Sequence, residues 1–180
     1  GVVGRELVPR LQQDRLILAR HRARPDSTAR QVAIDIRQPR LGLSEMDHAA
    51  LCEEVDTVVH CAAITDMSGD VPELSATNIS GVRNIIAFAE AAGARLHFVS
   101  TAYCSETYGP AAEVSSEYVA SKREAEALVR ASSLEWTISR PSILSGHSHT
   151  GAIATFQGFH LFIATVLNGR LPIIPLARET

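Results

Sequence analysis

Two residues with complementary chemistry, Tyr118 and Lys122, lie four positions apart in a segment that the sequence pattern predicts to be helical. This spacing places both side chains on one face of a helix, where they can act on one small volume. An unperturbed phenol has a pKa of about 10, and a nearby ammonium lowers that pKa because it favours the phenolate. We therefore expect Tyr118 to transfer a proton. Thr101, which ends the preceding predicted strand, would give a second hydrogen bond to a substrate oxygen.

The composition supports a specific role for Lys122. A Tyr-x-x-x-Lys pair taken alone is common and usually marks an exposed pair on a helix. This chain contains 17 Lys and Arg residues in total, and Lys122 is its single lysine. A guanidinium is planar and always charged, so it does not replace a compact ammonium whose pKa can shift. The composition therefore favours a catalytic pair over a chance pair on the surface.

Short apolar strands alternate with helices along the chain, which is the pattern of a parallel sheet covered by helices. The predicted strands are residues 15–19, 31–36, 57–61, 95–100 and 136–139, and the predicted helices lie within residues 1–13, 44–54, 71–92, 118–131 and 153–168. We therefore predict an α/β fold with a doubly wound parallel sheet. In such a sheet the ligand lies beyond the carboxyl ends of the strands, near the point where strand order reverses.

The candidate cofactor-binding residues form the opening turn or follow the carboxyl ends of predicted strands. They are Gly1, Val2, Val3 and Gly4 in the turn, then Arg20, Asp35, Ile36, Ala62, Ala63, Ser100, Pro141, Ser142 and Ile143. Each taken alone has an ordinary explanation as a turn, a helix cap, a packing pair or a solvated basic loop. Their common placement favours a site for a dinucleotide.

The residue types at this edge predict which cofactor binds. Glycines allow backbone amides and a helix amino terminus to approach a pyrophosphate. At the end of the strand that follows the glycine turn, NAD sites usually present a carboxylate to the ribose 2'-hydroxyl. Here that position is Arg20, whose guanidinium suits the 2'-phosphate of NADP. Asp35 would accept a hydrogen bond from the adenine amino group, with Ile36 against the ring. We therefore predict NADP.

Composition narrows the classes of partner and location. The net charge of −3 and the pI of about 6.2 give no general attraction to nucleic acid or to an anionic membrane. The three widely spaced cysteines, Cys52, Cys61 and Cys104, disfavour a disulfide framework or a structural zinc site and favour a reducing cytoplasm. No apolar run reaches the ~18 residues of a membrane-spanning helix. We expect one domain, whose NADP-binding part is residues 1–145 and whose substrate-binding region starts within residues 146–180.

Several short phrases distributed over nearly the whole chain follow the pattern of one superfamily. They are Gly1-Val2-Val3-Gly4, Asp35 to Ser44, Val55 to Ala63, Asn78-x-x-Gly81-x-x-Asn84, Val99 to Tyr103, Tyr118-x-x-x-Lys122-x-x-Ala125-Glu126, and Arg140-Pro141-Ser142-Ile143. In these phrases the chain resembles an extended short-chain dehydrogenase/reductase with a Rossmann-type sheet, lacking the first strand and the carboxyl-terminal substrate region. Within that superfamily it most resembles the thioester-reductase and fatty acyl reductase branch, with its "male sterility" type NAD-binding domain.

The resemblance implies roles for individual residues. Thr101, Tyr118 and Lys122 would form the catalytic triad, and Lys122 would also bind the nicotinamide ribose hydroxyls. Asn78 would support the helix backbone and a water chain. Ala62 and Ala63 would line the adenosine side, whereas Pro141, Ser142 and Ile143 would approach the nicotinamide. The loop between Thr101 and Tyr118 is shorter than is usual in this branch.

The leading hypothesis for the function is an NADPH-dependent reductase that converts an acyl thioester, linked to a carrier protein or coenzyme A, into an aldehyde or alcohol. The apolar segment 153–167 would be either a wall for the acyl chain or a core helix. A second hypothesis is an NAD(P)-dependent epimerase/dehydratase or ketone reductase that acts on a nucleotide sugar or steroid. The third is a non-catalytic NADP-binding protein.

Overall fold

Parallel strands form the centre of the protein. The structure is a computed structural model that describes residues 1–11, 15–21, 29–67, 70–105, 116–153, 155–156 and 158–170. Its strands are β1 Ile17–Arg20, β2 Arg30–Ala33, β3 Thr57–His60, β4 Arg95–Val99 and β5 Trp136–Ser139. β1 pairs in parallel with β2, and β3, β4 and β5 form a second parallel sheet in that order. The predicted α/β class with parallel strands is confirmed.

Helices lie between β2 and β3, between β3 and β4, and between β4 and β5, and helices also lie before β1 and after β5. They are α1 Val2–Leu7, α2 Glu45–Glu54, α3 Val71–Leu74, α4 Gly81–Ala92, α5 Glu117–Ala131 and α6 Gly158–Leu167. Two ends follow directly from local chemistry. The Ser44 hydroxyl oxygen accepts from the Asp47 amide at 3.1 Å and caps α2. Gly93 ends α4 with a φ of 62°, a left-handed conformation that glycine adopts without steric cost.

The helix predicted at 71–92 is interrupted. A π-helical turn, Ser75–Ser80, joins α3 to α4 and contains Asn78. Such turns are uncommon and occur frequently at functional positions. The extra residue in the turn changes the direction of the side chains that follow, so that periodicity alone does not predict where Asn78 points.

Two other predicted elements have different bounds. The strand predicted at 31–36 ends at Ala33, because the amide of Asp35 donates to the carbonyl of Leu41 at 2.9 Å and turns the chain. The helix predicted at 153–168 begins at Gly158. Residues 171–180 of the predicted substrate-binding region lie outside the described residues, and the division of the chain at residue 145 stays a prediction.

The hydrophobic core lies between the strands and helices α2, α4 and α5. Its buried members come from α2, α4, α5, β4 and the segment between β2 and α2: Ile34, Leu41, Leu51, Val82, Ile85, Phe88, Leu96, Phe98, Ala125 and Val129. A second, smaller cluster contains Leu74, Tyr118 and Val119. None of the residues of α1 or of α6 is buried. Within the described ranges, no helix combines the length and the apolar character needed to cross a bilayer.

Candidate active site

The loops that follow β4 and β5 lie side by side. Their strands are in register, with Val99 opposite Ser139, and the pairing continues beyond the strands. The amide of Ser100 donates to the carbonyl of Ser139 at 2.7 Å, and the amide of Ala102 donates to the carbonyl of Pro141 at 2.9 Å. The structure therefore brings together two groups of predicted site residues, those around Ser100 and those around Pro141.

Helix α5 places Tyr118 beside the end of β4. The Ser116 hydroxyl oxygen caps the helix by accepting from the amide of Val119 at 3.2 Å. The side chain of Tyr118 is buried, with 8% of the residue exposed. Burial raises the pKa of the phenol, and a hydrogen bond with the side chain of Thr101 lowers it by less. The phenol is therefore neutral at neutral pH and carries a proton that it can donate.

Lys122 lies one turn further along α5, also buried, with 3% of the residue exposed. Its ammonium donates to the carbonyl of Val99 at 2.9 Å and lies 4.3 Å from the centre of the Phe98 ring. Burial lowers the pKa of Lys122 to about 8. The prediction that this ammonium lowers the pKa of Tyr118 is wrong in this structure, because burial of the phenol dominates and the ammonium lies against Val99 instead.

Asn78 joins the loop after β3 to the first turn of α5. Its Nδ2 donates to the carbonyl of Ile64 at 2.9 Å and to the hydroxyl of Ser121 at 3.0 Å, and its Oδ1 accepts from the amide of Ile64 at 2.9 Å. The Ser121 hydroxyl donates in turn to the carbonyl of Tyr118 at 2.7 Å. These bonds tie Asn78 to α5 through the Ser121 hydroxyl, and its support of the helix backbone and of a water chain stays a prediction. Ser121 is not among the predicted site residues, although its position between Tyr118 and Lys122 was a usable signal.

The opening turn lies against the loop after β3. A Cβ added to Gly4 would lie 3.4 Å from the Sγ of Cys61, so Gly4 is within van der Waals reach of this loop. Val2 and Val3 form the first residues of α1, directly after Gly1. Ala62 is exposed and Ala63 is half-buried. The side chains of both residues are small, so they take up little space beside the carboxyl end of β3.

Arg20 is the last residue of β1, and Asp35 lies in the turn that follows β2. The carbonyl of Arg20 accepts from the amide of Ile34 at 2.9 Å, which keeps the two strand ends together. The carboxylate of Asp35 accepts from the backbone amide of Arg37 at 3.0 Å, from its Nε at 2.9 Å and from its Nη2 at 2.8 Å. The hydrogen bond from the Arg37 side chain is the main cause that lowers the pKa of Asp35 to about 2.

This arrangement bears on the predicted adenine contact. Asp35 already accepts three hydrogen bonds from Arg37, whereas a carboxylate has about four acceptor positions in total. Arg37, which the sequence analysis did not select, adds a second guanidinium to the edge that holds Arg20. The carbonyl of Ile36 accepts from Nδ2 of Asn84 at 2.7 Å, which anchors this loop to α4.

The residues at this edge fit a nicotinamide dinucleotide. They combine glycines at the amino end of α1, small side chains after β3, guanidinium groups at the end of β1 and after β2, and an exposed aliphatic side chain, Ile143, after β5. Hydroxyl and ammonium groups from Thr101, Tyr118 and Lys122 lie near the end of β4. A cavity of about 500 Å³ lies at the opposite edge of the sheet, lined by residues such as Thr57 and Arg95, and contains none of the predicted site residues.

Comparison with known proteins identifies the family. The sequence matches the NAD-binding family model described as "Male sterility protein" over residues 7–180. The hybrid PKS-NRPS synthetase mpsA of Macrophomina phaseolina is 31% identical over 199 aligned positions, which cover 97% of this chain and 5% of that protein. Trichosetin synthetase PKS-NRPS1 of Gibberella fujikuroi is 29% identical over 147 residues, which cover 72% of this chain and 4% of that protein. The chain therefore spans a small part of the length of these relatives.

Solved structures agree with this result. The terminal R domain from the myxalamid PKS-NRPS biosynthetic pathway has a TM-score of 0.78 and 26% identity, over 91% of this chain and 52% of that chain. The enzyme WbmG of Bordetella bronchiseptica, solved in complex with NAD, shares the fold with a TM-score of 0.66 and 22% identity, over 94% of this chain and 57% of that chain. With its family model matched from residue 7 to residue 180, the chain belongs to the male sterility protein family of NAD-binding domains.

Proposed function

We propose that this chain is the cofactor-binding and catalytic part of an NADPH-dependent reductase that acts on an acyl thioester. The observation that carries the proposal is the neutral, buried phenol of Tyr118, hydrogen-bonded with Thr101 at the carboxyl end of β4. The similarity to the myxalamid terminal R domain over 91% of the chain supports the thioester as the substrate class. The acyl group would be presented by a carrier protein or by coenzyme A.

The chain's own residues would stabilise charge and supply a proton. NADPH, when bound, supplies a hydride to the carbonyl carbon of the thioester. Thr101 and Tyr118 donate hydrogen bonds to the carbonyl oxygen as negative charge develops on it, and the phenol proton passes to this oxygen. The resulting hemithioacetal loses its thiol, which carries away one proton, and leaves an aldehyde. A second hydride transfer at the same site would give the alcohol.

Lys122 would hold the nicotinamide ribose and restore the proton of Tyr118. The proposal is supported by its position one turn from Tyr118 and by its pKa of about 8, which keeps most of the group charged at neutral pH. The exposed apolar side chains of α6, including Phe159, Leu161 and Phe162, are the proposed wall for the acyl chain. The cytoplasmic location stays a prediction.

Turnover tests the proposal. The full-length protein is given NADPH with an acyl-coenzyme A, a carrier-linked acyl thioester, a nucleotide sugar or a steroid ketone, and products are identified by mass spectrometry. We expect aldehyde or alcohol from a thioester, and a loss of at least ~100-fold in turnover for Tyr118→Phe. Tyr103→Phe is the matched control, since Tyr103 packs in the same small cluster and should tolerate loss of its hydroxyl.

Three outcomes would contradict the proposal. Turnover of only the nucleotide sugar or the ketone would support the epimerase or ketone-reductase hypothesis. NADPH binding without turnover of any substrate would support a non-catalytic NADP-binding protein. Full activity of Tyr118→Phe on a thioester would remove the phenol from the mechanism.

We propose the preference for NADP from Arg20, and a separate binding measurement tests it. A charge-assisted contact with the 2'-phosphate is worth ~1.5–3 kcal/mol, so Arg20→Ala should weaken NADPH binding ~10- to 100-fold and leave NADH binding unchanged. Arg95→Ala is the control, because Arg95 pairs with Glu135 at the opposite end of the strands. Equal affinities of the unmodified protein for NADPH and NADH would contradict the preference.

A further inference from the structure

A buried carboxylate lies on the catalytic helix. Glu126 is on α5, four residues after Lys122, and its side chain is only 5% exposed. Removing a carboxylate from water is costly unless the charge is paired and hydrogen-bonded. Burial by itself raises the pKa of Glu126, yet hydrogen bonds, led by the one from Arg140, lower it to about 2. The carboxylate is therefore ionised at every pH at which the protein would be assayed.

Two arginines hold this carboxylate, and they come from different elements. Arg140 donates from Nε to Oε1 at 2.9 Å and from Nη2 to Oε2 at 2.5 Å, a bidentate pair with fixed relative orientation. Arg130 donates from Nη2 to Oε2 at 3.1 Å, from a position one turn further along the same helix. Arg130 can reduce the cost of the buried charge, but it ties α5 only to itself.

Arg140 ties α5 to a different part of the site. It directly precedes Pro141, Ser142 and Ile143, the predicted nicotinamide residues, and the carbonyl of Pro141 accepts from the amide of Ala102 at 2.9 Å. The turn after β5 is thus anchored on one side to the loop that carries Thr101, and on the other side to the helix that carries Tyr118 and Lys122. A shift of this turn relative to α5 would have to break the bidentate pair.

We propose that the ion pair of Glu126 and Arg140 positions the turn formed by residues 141–143 against the nicotinamide, at a defined distance from Tyr118 and Lys122. Both are positioning residues, since neither contacts the reacting atoms. The proposal rests on the proposed function, because it assumes that a nicotinamide cofactor binds here. It gives Glu126 and Arg140 a role that the resemblance to the family did not imply. A displacement of reacting groups by about 1 Å can cost as much as 100-fold in rate.

Cofactor fragments test this role without any turnover. We measure the dissociation constants of NADPH and of 2',5'-ADP, which lacks the nicotinamide half, by fluorescence and calorimetry. The proteins compared are the unmodified full-length protein and its variants Arg140→Lys, Glu126→Gln and Arg130→Ala. The dissociation constant of 2',5'-ADP divided by that of NADPH reports the contribution of the nicotinamide half, and it falls when NADPH alone binds more weakly. We expect Arg140→Lys and Glu126→Gln to lower this ratio ~10-fold or more, with unchanged 2',5'-ADP affinity. Arg130→Ala, the matched control on the same carboxylate, should leave the ratio unchanged.

The binding measurements distinguish a failure of the positioning role from a failure of the proposed reductase function. A ratio that falls in Arg140→Lys but not in Arg130→Ala supports positioning, even if no thioester is ever reduced. An unchanged ratio in both Arg140→Lys and Glu126→Gln would overturn it. So would a parallel loss of NADPH and 2',5'-ADP affinity that follows the midpoint of thermal unfolding, because the pair would then be only a structural contact. Arg140→Lys keeps the charge and leaves a folded protein to measure if Glu126→Gln does not fold.

Discussion

The buried ammonium of Lys122 makes the stability of this protein depend on pH in a direction that can be worked out from the structure. Lys122 is 3% exposed, and burial lowers its pKa from 10.5 to about 8. Between these two values the unfolded chain still carries the lysine proton and the folded chain does not. The free energy of unfolding therefore rises with pH in this interval, because the unfolded state binds more protons.

The size of this effect follows from the shift. A difference between 10.5 and about 8 corresponds to about 3 kcal/mol at ~1.4 kcal/mol per pKa unit. Lys122→Met removes the titrating group and keeps an unbranched apolar side chain of similar length. At pH 7 the variant also loses the hydrogen bond to Val99 and the contact with Phe98, so the informative quantity is how the difference in stability changes with pH.

Urea unfolding at pH 7, 8, 9 and 10 measures this quantity. The unmodified protein should gain about 2.5 kcal/mol relative to Lys122→Met by pH 10, nearly all of it above pH 8. Arg123→Met, which changes the next residue of the same helix and removes a guanidinium instead of the ammonium, should give a constant difference. A difference in the free energy of unfolding that stays constant with pH for Lys122→Met would refute the reasoning, because the pKa of Lys122 would then be the same in the folded and the unfolded chain. A difference that moves in favour of Lys122→Met as pH rises would also refute it.

Three further predictions concern activity and stability. Reductase activity should fall as pH rises above about 8, where Lys122 loses its proton, and a profile flat to pH 10 would contradict the proposed role. Asn78→Ala should lower the free energy of unfolding by about 2–4 kcal/mol, because the backbone amide and carbonyl of Ile64 lose their hydrogen bonds to its side chain. The neighbouring change Thr77→Ala should cost far less, and urea unfolding of both variants makes the comparison. Gly93→Ala should cost about 1 kcal/mol by the same measurement, because an L-residue is strained at a φ of 62°, and an unchanged midpoint would count against that strain.

Local chemistry made much of the fold predictable. β5 has the predicted bounds, Trp136–Ser139, because its apolar residues lie between a polar turn and a proline. The start of α2 and the end of α4 follow from Ser44 and Gly93, since a cap or a left-handed residue acts within one turn. The site residues could be predicted to lie together because the carboxyl ends of parallel strands lie at the same side of a sheet.

Contacts between distant segments were not predictable in the same way. The end of β2 at Ala33 depends on the Asp35 amide reaching Leu41, and the bidentate pair joins residues 126 and 140, which are 14 positions apart. The sequence contains both partners of each contact. It does not show which of many polar groups meet, because that choice depends on how helices pack on the sheet.

The same distinction between local and tertiary causes applies to Tyr118 and Lys122. The spacing of Tyr118 and Lys122 on one helix was determined by the sequence alone, because the period of a helix is a local property of the backbone. The protonation of both groups was decided only by the tertiary structure. Burial among side chains from several elements raises the pKa of the phenol and lowers that of the ammonium, since the cost of a charge depends on the solvent that packing removes around it.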